Sequence, residues 1–274
     1  MTSFILLTAC AINEKNIDTA IVENDAERQI VIASVTLDYS VGSLSTLDLD
    51  SLELTENIAS VSGDPIIRRQ GNALYQLNRY QHDTLRRYEL NQLSIPTVEV
   101  SLRQSGSSSS NPHDVALCAE NLYVTQYDQS DILILDPISL LEIDRIDLSD
   151  HADSDGIPEA SRMVVTNDHI YVGLQRLNRN QNWRSEDSKL IKINCMDRSI
   201  QTVFEGAHDI LLYPTEQEGK ILLTSNGEDE DSGGIAVLDT RDDSIQDLLE
   251  TDSDDITSAV LTEDRLIYLN LSSD

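Results

Sequence analysis

Asp150, Asp153, Asp155 and Glu159 crowd four carboxylates into ten residues, around His151 and Gly156. Hard oxygen groups at that density suit calcium, which takes about 6–8 oxygen ligands from side chains, carbonyls and water. Gly156 permits the sharp turn that wrapping an ion requires. The spacing is not that of an EF-hand, because the closing glutamate comes too early and no helical pattern flanks the loop. The other reading is a solvated acidic loop. A second constellation is the pair His113-Asp114 and His208-Asp209, each opening a strand-like run, with Arg162 opening the run between them. Such groups, if gathered at one point, would bind an anion or a metal or move protons. Alternatively, each histidine caps its strand and bonds to a neighbour, as repeated structural residues do. Trp183 stands among Asn180, Gln181, Asn182 and Arg184 with no apolar periodicity around it. An indole in that setting suits contact with a carbohydrate or a protein, or packs down on its own scaffold.

The elements that must position these residues come from an echo in the chain. Tyr75, Tyr123, Tyr171, Leu222 and Tyr268 each sit in a short apolar run, at steps of 48, 48, 51 and 46 residues. A period of that size marks a solenoid, a propeller or an array. Within one period, 113–118, 121–125, 131–136 and 142–148 read as four short strands separated by polar turns. Residues 132–135 are apolar on both faces, as in a strand buried between neighbouring sheets. Residues 145–148 alternate, as in a half-buried outer strand. Four strands per repeat, with no helical stripe between them, predict an all-β chain of four-stranded antiparallel blades, a β-propeller.

Four blades follow from 65–102, 113–148, 161–204 and 208–249. Residues 31–58 supply three strands of a first blade, and 257–269 two strands of a sixth. The expectation is five to six visible blades from a larger ring of about seven. The alternative is that the two partial blades join in a five-bladed ring. Hairpins at 119–120, 167–168 and 262–264 are short, whereas 103–111, 149–160, 175–188, 225–233 and 250–256 are long. One end of the blades is therefore expected to be plain and the other decorated with loops, where binding residues concentrate. His113, Asp114, Arg162 and His208 would then face the mouth of the central channel.

At Tyr123-Val124-Thr125-Gln126, followed by the run from Asp131 to Asp136 and the strand from Ile143 to Leu148, the chain resembles the YVTN-type β-propeller repeat. Gln126 stands where that repeat has Asn, and Gly173 where its fourth copy would have Thr; Leu222-Leu223-Thr224-Ser225 keeps the Thr. The resemblance implies a secreted or surface-attached binding protein, with metal-dependent lactonases among related propellers. It does not fix a function.

The net charge is −30, from 49 acidic and 19 basic residues, which disfavours nucleic acid and anionic membrane surfaces. A surface adapted to saline water or a cation-binding face both fit it. No Gly-rich phosphate loop and no nucleophile elbow is present, and a single tryptophan excludes the Trp-rich repeats of quinone-dependent propellers. Leu7-Thr8-Ala9-Cys10 resembles the lipobox of bacterial lipoproteins, with Cys10 the residue to be lipidated. It lacks the preceding Lys or Arg of a full signal. The expected organisation is a partial signal peptide at 1–10, a polar tether at 11–28 and the propeller at 29–274. Cys118 and Cys195 fall at strand ends without metal-ligand spacing; they read as two buried free thiols, with a disulfide left open.

The expected protein is a monomeric binding scaffold of a bacterial cell envelope, in the periplasm or on the outer membrane. It touches the membrane only through a lipid and holds an unknown surface protein or glycan, with calcium as a candidate cofactor. The alternative is a metal-dependent, lactonase-like hydrolase acting through His113, Asp114, Arg162 and His208.

Overall fold

The computed structural model describes residues 21–24, 27–79, 81–206, 210–215, 217–225, 233–251, 255–262 and 265–271. Two compact units divide the chain, 1–115 with 136–141 and 116–135 with 142–274. Among the described residues there are five four-stranded antiparallel sheets and two two-stranded ones.

Unit one holds two complete blades. The first pairs β1 (Ile21–Asn24), β2 (Glu27–Val35), β3 (Gly42–Asp48) and β4 (Leu54–Val61) in chain order. Its innermost strand falls where the sequence suggested a tether, so this blade has four strands rather than three. The second blade is β5 (Pro65–Gln70), β6 (Ala73–Asn78), β7 (Thr84–Glu89) and β8 (Val98–Ser101). Every residue of β6 is buried, because a second strand is covered on both faces, whereas β8 alternates partly buried with exposed residues. Val31, Leu44, Ile67, Leu74 and Tyr88 form one core between the two blades.

In unit two, the third blade runs β9 (Pro112–Cys118), β10 (Asn121–Gln126), β11 (Asp131–Leu135) and β12 (Glu142–Asp147); β9 begins in unit one. The fourth has β13 (Ala160–Thr166) and β14 (His169–Leu174). A small hairpin follows, β15 (Leu177–Asn178) with β16 (Arg184–Ser185), before β17 (Lys189–Asn194) and β18 (Ile200–Glu205) complete the blade. The fifth is β19 (Leu211–Pro214), β20 (Lys220–Ser225), β21 (Gly233–Asp239) and β22 (Ser244–Thr251). β23 (Asp255–Leu261) and β24 (Leu266–Leu271) form a two-stranded sheet. Successive cores lie between adjacent sheets, as stacking requires.

The tyrosines that reveal the repeat also join it. Each reaches across to the turn between the last two strands of the following blade. Tyr75 donates to the carbonyl of Pro137 at 2.7 Å, Tyr123 to that of Cys195 at 3.1 Å, and Tyr171 to Asp243 Oδ1 at 2.6 Å. Burial raises all three phenols above their ordinary pKa, so they stay protonated donors. Two residues on from Tyr123, the Thr125 hydroxyl donates to the carbonyl of Ser161 at 2.7 Å. The corresponding Gly173 has no room for a side chain: a Cβ there would come within 2.7 Å of the Leu212 side chain. Close approach of the fifth blade thus explains the departure from Thr in the fourth copy of the repeat.

Cys118 and Cys195 form a disulfide across 77 residues, with Cα atoms 6.0 Å apart, so the reading as free thiols is corrected. Cys118 ends β9 and Cys195 begins the β17–β18 turn; stacking brings these ends of consecutive blades together.

Candidate binding platform

The loop after β12 opens with a 3-10 turn at Ser149–His151 that contains Asp150. A chain of side-chain acceptors then folds it. Asp153 Oδ1 accepts the Asp155 N–H at 2.8 Å, and Asp155 Oδ1 accepts the Ile157 N–H at 2.9 Å. Gly156 takes φ +89°, and its N–H reaches the Asp153 carbonyl at 3.2 Å. This is the turn chemistry that Asp and Gly supply. The loop ends at Glu159, which is fully buried.

The β15–β16 hairpin lies against this loop, and Arg179 is the contact that locks them. Its Nε donates to Glu159 Oε1 at 2.9 Å, while its backbone N–H donates to Asp155 Oδ2 at 2.7 Å. Its Nη2 donates to Asp128 Oδ1 at 2.9 Å and to the Tyr127 carbonyl at 2.8 Å. Glu159 Oε2 also accepts the Leu177 N–H at 3.0 Å. Asn178 Nδ2 ties the same loops through Ser154 Oγ at 2.6 Å and Glu186 Oε1 at 2.9 Å. Burial pushes the Glu159 carboxyl up to about 8, against the opposing pull of Arg179. Burial likewise pushes Asp153 up to about 6.

Trp183 sits on this frame. Its ring centroid is 4.8 Å from the Arg179 guanidinium carbon, and its residue is 51% exposed. Asn182 and Trp183 both hold left-handed backbone, at φ 61° and 64°. For a bulky residue that conformation is uncommon and persists only where surroundings impose it. The Trp183 N–H bonds to the Asn178 carbonyl at 2.9 Å, closing the hairpin. The result is an indole held face-to-cation on a fixed guanidinium, with much of its surface open to solvent.

Two sequence-level candidates, the acidic loop and Trp183, are thus parts of one assembly, and Arg179 joins them. Its signal in the sequence was scarcity. With 19 basic residues against 49 acidic ones, an arginine in a long loop is a natural anchor for acidic neighbours. The loop carboxylates of Asp155 and Glu159 are engaged by Arg179 and backbone N–H groups. Among the described residues no group of three or more His, Cys, Asp or Glu side chains is placed to hold a metal.

The other candidates lie elsewhere. His113 and Asp114 belong to unit one, on β9, and Arg162 to unit two, on β13. Asp114 is buried and pairs with Arg68 Nε at 2.9 Å, with side chains 2% and 7% exposed; it also accepts the Val115 N–H. Arg162 lies over the Tyr213 ring, 4.6 Å from its centroid. His208 and Cys10, with the segment 1–10 and most of 11–28, lie outside the described residues.

No protein-family model matches this sequence, and no curated protein matches it. Solved structures do. The Dos1 propeller superposes with a TM-score of 0.60 at 15% identity, over 91% of this chain and 65% of that one. The β-propeller domain of the Trilobed protease from Pyrococcus furiosus, described as having an open velcro topology, gives 0.53 at 13% identity, over 90% and 76%. A putative 6-phosphogluconolactonase from Bacteroides fragilis gives 0.51 at 10% identity, over 85% and 70%. The chain spans less than two thirds of several of the solved chains it resembles, 62% of one and 45% of another. These likenesses and the four-stranded antiparallel blades define the fold as a β-propeller.

Proposed function

We propose that this chain is the binding propeller of an exported, lipid-anchored cell-envelope protein of the YVTN type, and that it holds a glycan on the Trp183 platform. The observation that carries the reading is the exposed indole pinned over Arg179. A flat apolar face carried on a hairpin rich in Asn, Gln and Arg residues suits a sugar ring, which offers C–H groups on one face and hydroxyls at its edge. Rigid backing lowers the ordering cost of binding. The Cys118–Cys195 disulfide supports an oxidising compartment outside the cytoplasm. The lipid anchor rests on the Cys10 motif.

Trp183 is the sole tryptophan, so its fluorescence reports this site alone. Titration with soluble cell-wall glycan strands should shift and saturate the emission, with soluble dextran as the control. Unchanged emission, together with undiminished retention of a Trp183→Ala variant on insoluble cell wall, would overturn the reading. A protein partner is the outcome if glycan fails and envelope protein shifts the emission. For the anchor, Cys10→Ser should move the protein from the membrane fraction to the soluble one and abolish palmitate labelling.

The hydrolase alternative draws on the lactonase-like neighbour, a likeness of fold alone at 10% identity. Asp114 spends its carboxylate on Arg68, and Arg162 covers Tyr213, which weighs against their use in catalysis.

A further inference from the structure

A second place in unit two has the features of a ligand site, independent of the platform. Between the outer strand of the fourth blade and the fifth blade lies a pocket of about 190 Å³. Cavities of about 150 Å³ lined by similar side chains accept a single aromatic ring. The antiparallel register explains why a void forms. Leu223 pairs with Ala236 and Ser225 with Gly234 across β20 and β21. Ala236 pairs with Asp247 and Gly234 with Glu250 across β21 and β22. Directly paired residues share a face, so the small residues Gly234 and Ala236 of β21 form the floor, between Ser225 on one side and two carboxylates on the other.

Phe204, Ile210 and Ile245 complete an apolar wall. Asp247 and Glu250 are exposed at the rim, so the pocket reaches solvent. The Ser225 hydroxyl has no hydrogen-bond partner among the described residues. The wall therefore offers dispersion and desolvation to a small apolar body, the rim favours a cation, and one hydroxyl is spare. An anion of the same shape would meet two like charges.

We infer that this pocket binds a small amphiphilic amine, an aromatic or short alkyl body carrying an ammonium group, with the ammonium at Asp247 and Glu250. The test uses isothermal calorimetry on the whole chain with three probes: tyramine, 4-hydroxyphenylacetate and phenethylamine. The first two share a body and differ in the sign of the charge. Tyramine should bind at least roughly tenfold more tightly than 4-hydroxyphenylacetate, and phenethylamine should bind with the same sign preference. The double variant Asp247→Asn, Glu250→Gln alters exposed side chains and should fold normally. It should bring tyramine and 4-hydroxyphenylacetate to equal affinity. Ala236→Leu should fill the floor and abolish binding, with its melt and far-UV spectrum recorded to confirm folding. Trp183→Ala should leave all three affinities unchanged. Equal affinity of wild-type protein for the two hydroxyphenyl probes, no tyramine binding at millimolar concentration, or full tyramine binding by a folded Ala236→Leu variant would each overturn the assignment.

Discussion

Tyr123 gives its phenolic hydrogen to the backbone carbonyl of Cys195, the residue whose sulfur is bonded to Cys118. One joint between the third and fourth blades is therefore made twice, by a hydrogen bond and by a covalent bond. Tyr171 makes the corresponding bond to Asp243 at the next joint, where Lys192 supplies a cation to the same carboxylate at 3.0 Å.

The two fastenings at the first joint should separate experimentally. Cys118→Ser with Cys195→Ser is expected to lower stability by about 2–4 kcal/mol, because the bond closes a long loop in the unfolded chain. Denaturant melts with and without reductant measure it. Reductant should reproduce the variant in wild-type protein and leave the variant itself unmoved.

Tyr123→Phe removes only the hydrogen bond and leaves the ring packed. A loss of about 1 kcal/mol is expected, with more cost if the Cys195 carbonyl stays dry. Tyr75→Phe, at a joint without a disulfide, provides the comparison.

The pH dependence of unit two should carry the mark of Glu159. Its carboxyl is raised from 4.5 to about 8 in the folded protein. The unfolded chain therefore loses this proton first as pH rises. The folded state is favoured by it fully below about 4.5, and that contribution is lost as pH climbs to about 8. Glu159→Gln should flatten the stability profile between those limits. Arg179→Ala removes the cation that opposes the shift and should push the transition to higher pH. A slope of stability against pH unaltered by Glu159→Gln would refute this account.

Calcium should leave the melting temperature unchanged. Asp155 and Glu159 already hold Arg179 and backbone N–H groups, so an ion would have to displace them. A calcium-dependent rise in melting temperature that disappears in Asp153→Asn and Asp155→Asn would restore the four-carboxylate reading of the loop.

In unit one, Asp114→Ala strands the buried Arg68 guanidinium without its carboxylate. A loss of about 3–5 kcal/mol is expected, read from urea unfolding. Arg68→Met with Asp114→Leu should recover most of it, since an apolar pair needs no such compensation.

The strand plan was legible because each strand declares its surroundings in its own residues. β6, β10 and β14 are buried on both faces and read as largely apolar runs; β12 is mostly exposed and reads as a rim strand. β1 was missed because its residues Glu23 and Asn24 are polar and resemble the segment before them. The long loops were also legible, and the structure brings two of them, the acidic loop and the one with Trp183, into contact through Arg179. What joins them was hidden. Arg179 and Glu159 are twenty residues apart, and Asp128 is further still. Periodicity tells which face of a strand is covered but says nothing of which distant loop will meet another. The disulfide was illegible for the same reason: two cysteines at strand ends pair only if the stacking of blades brings those ends together.

The tyrosine joints give the chain a direction of mechanical load. Each arm leaves the second strand of one blade and grips the outer turn of the blade after it. The outer strands β12 and β18 bury little of their own surface, yet the turn that starts each of them is held from behind by the preceding blade. A pull on such a rim strand is passed inward to a fully packed strand of the neighbour, so the rim should not peel away until the blade before it lets go.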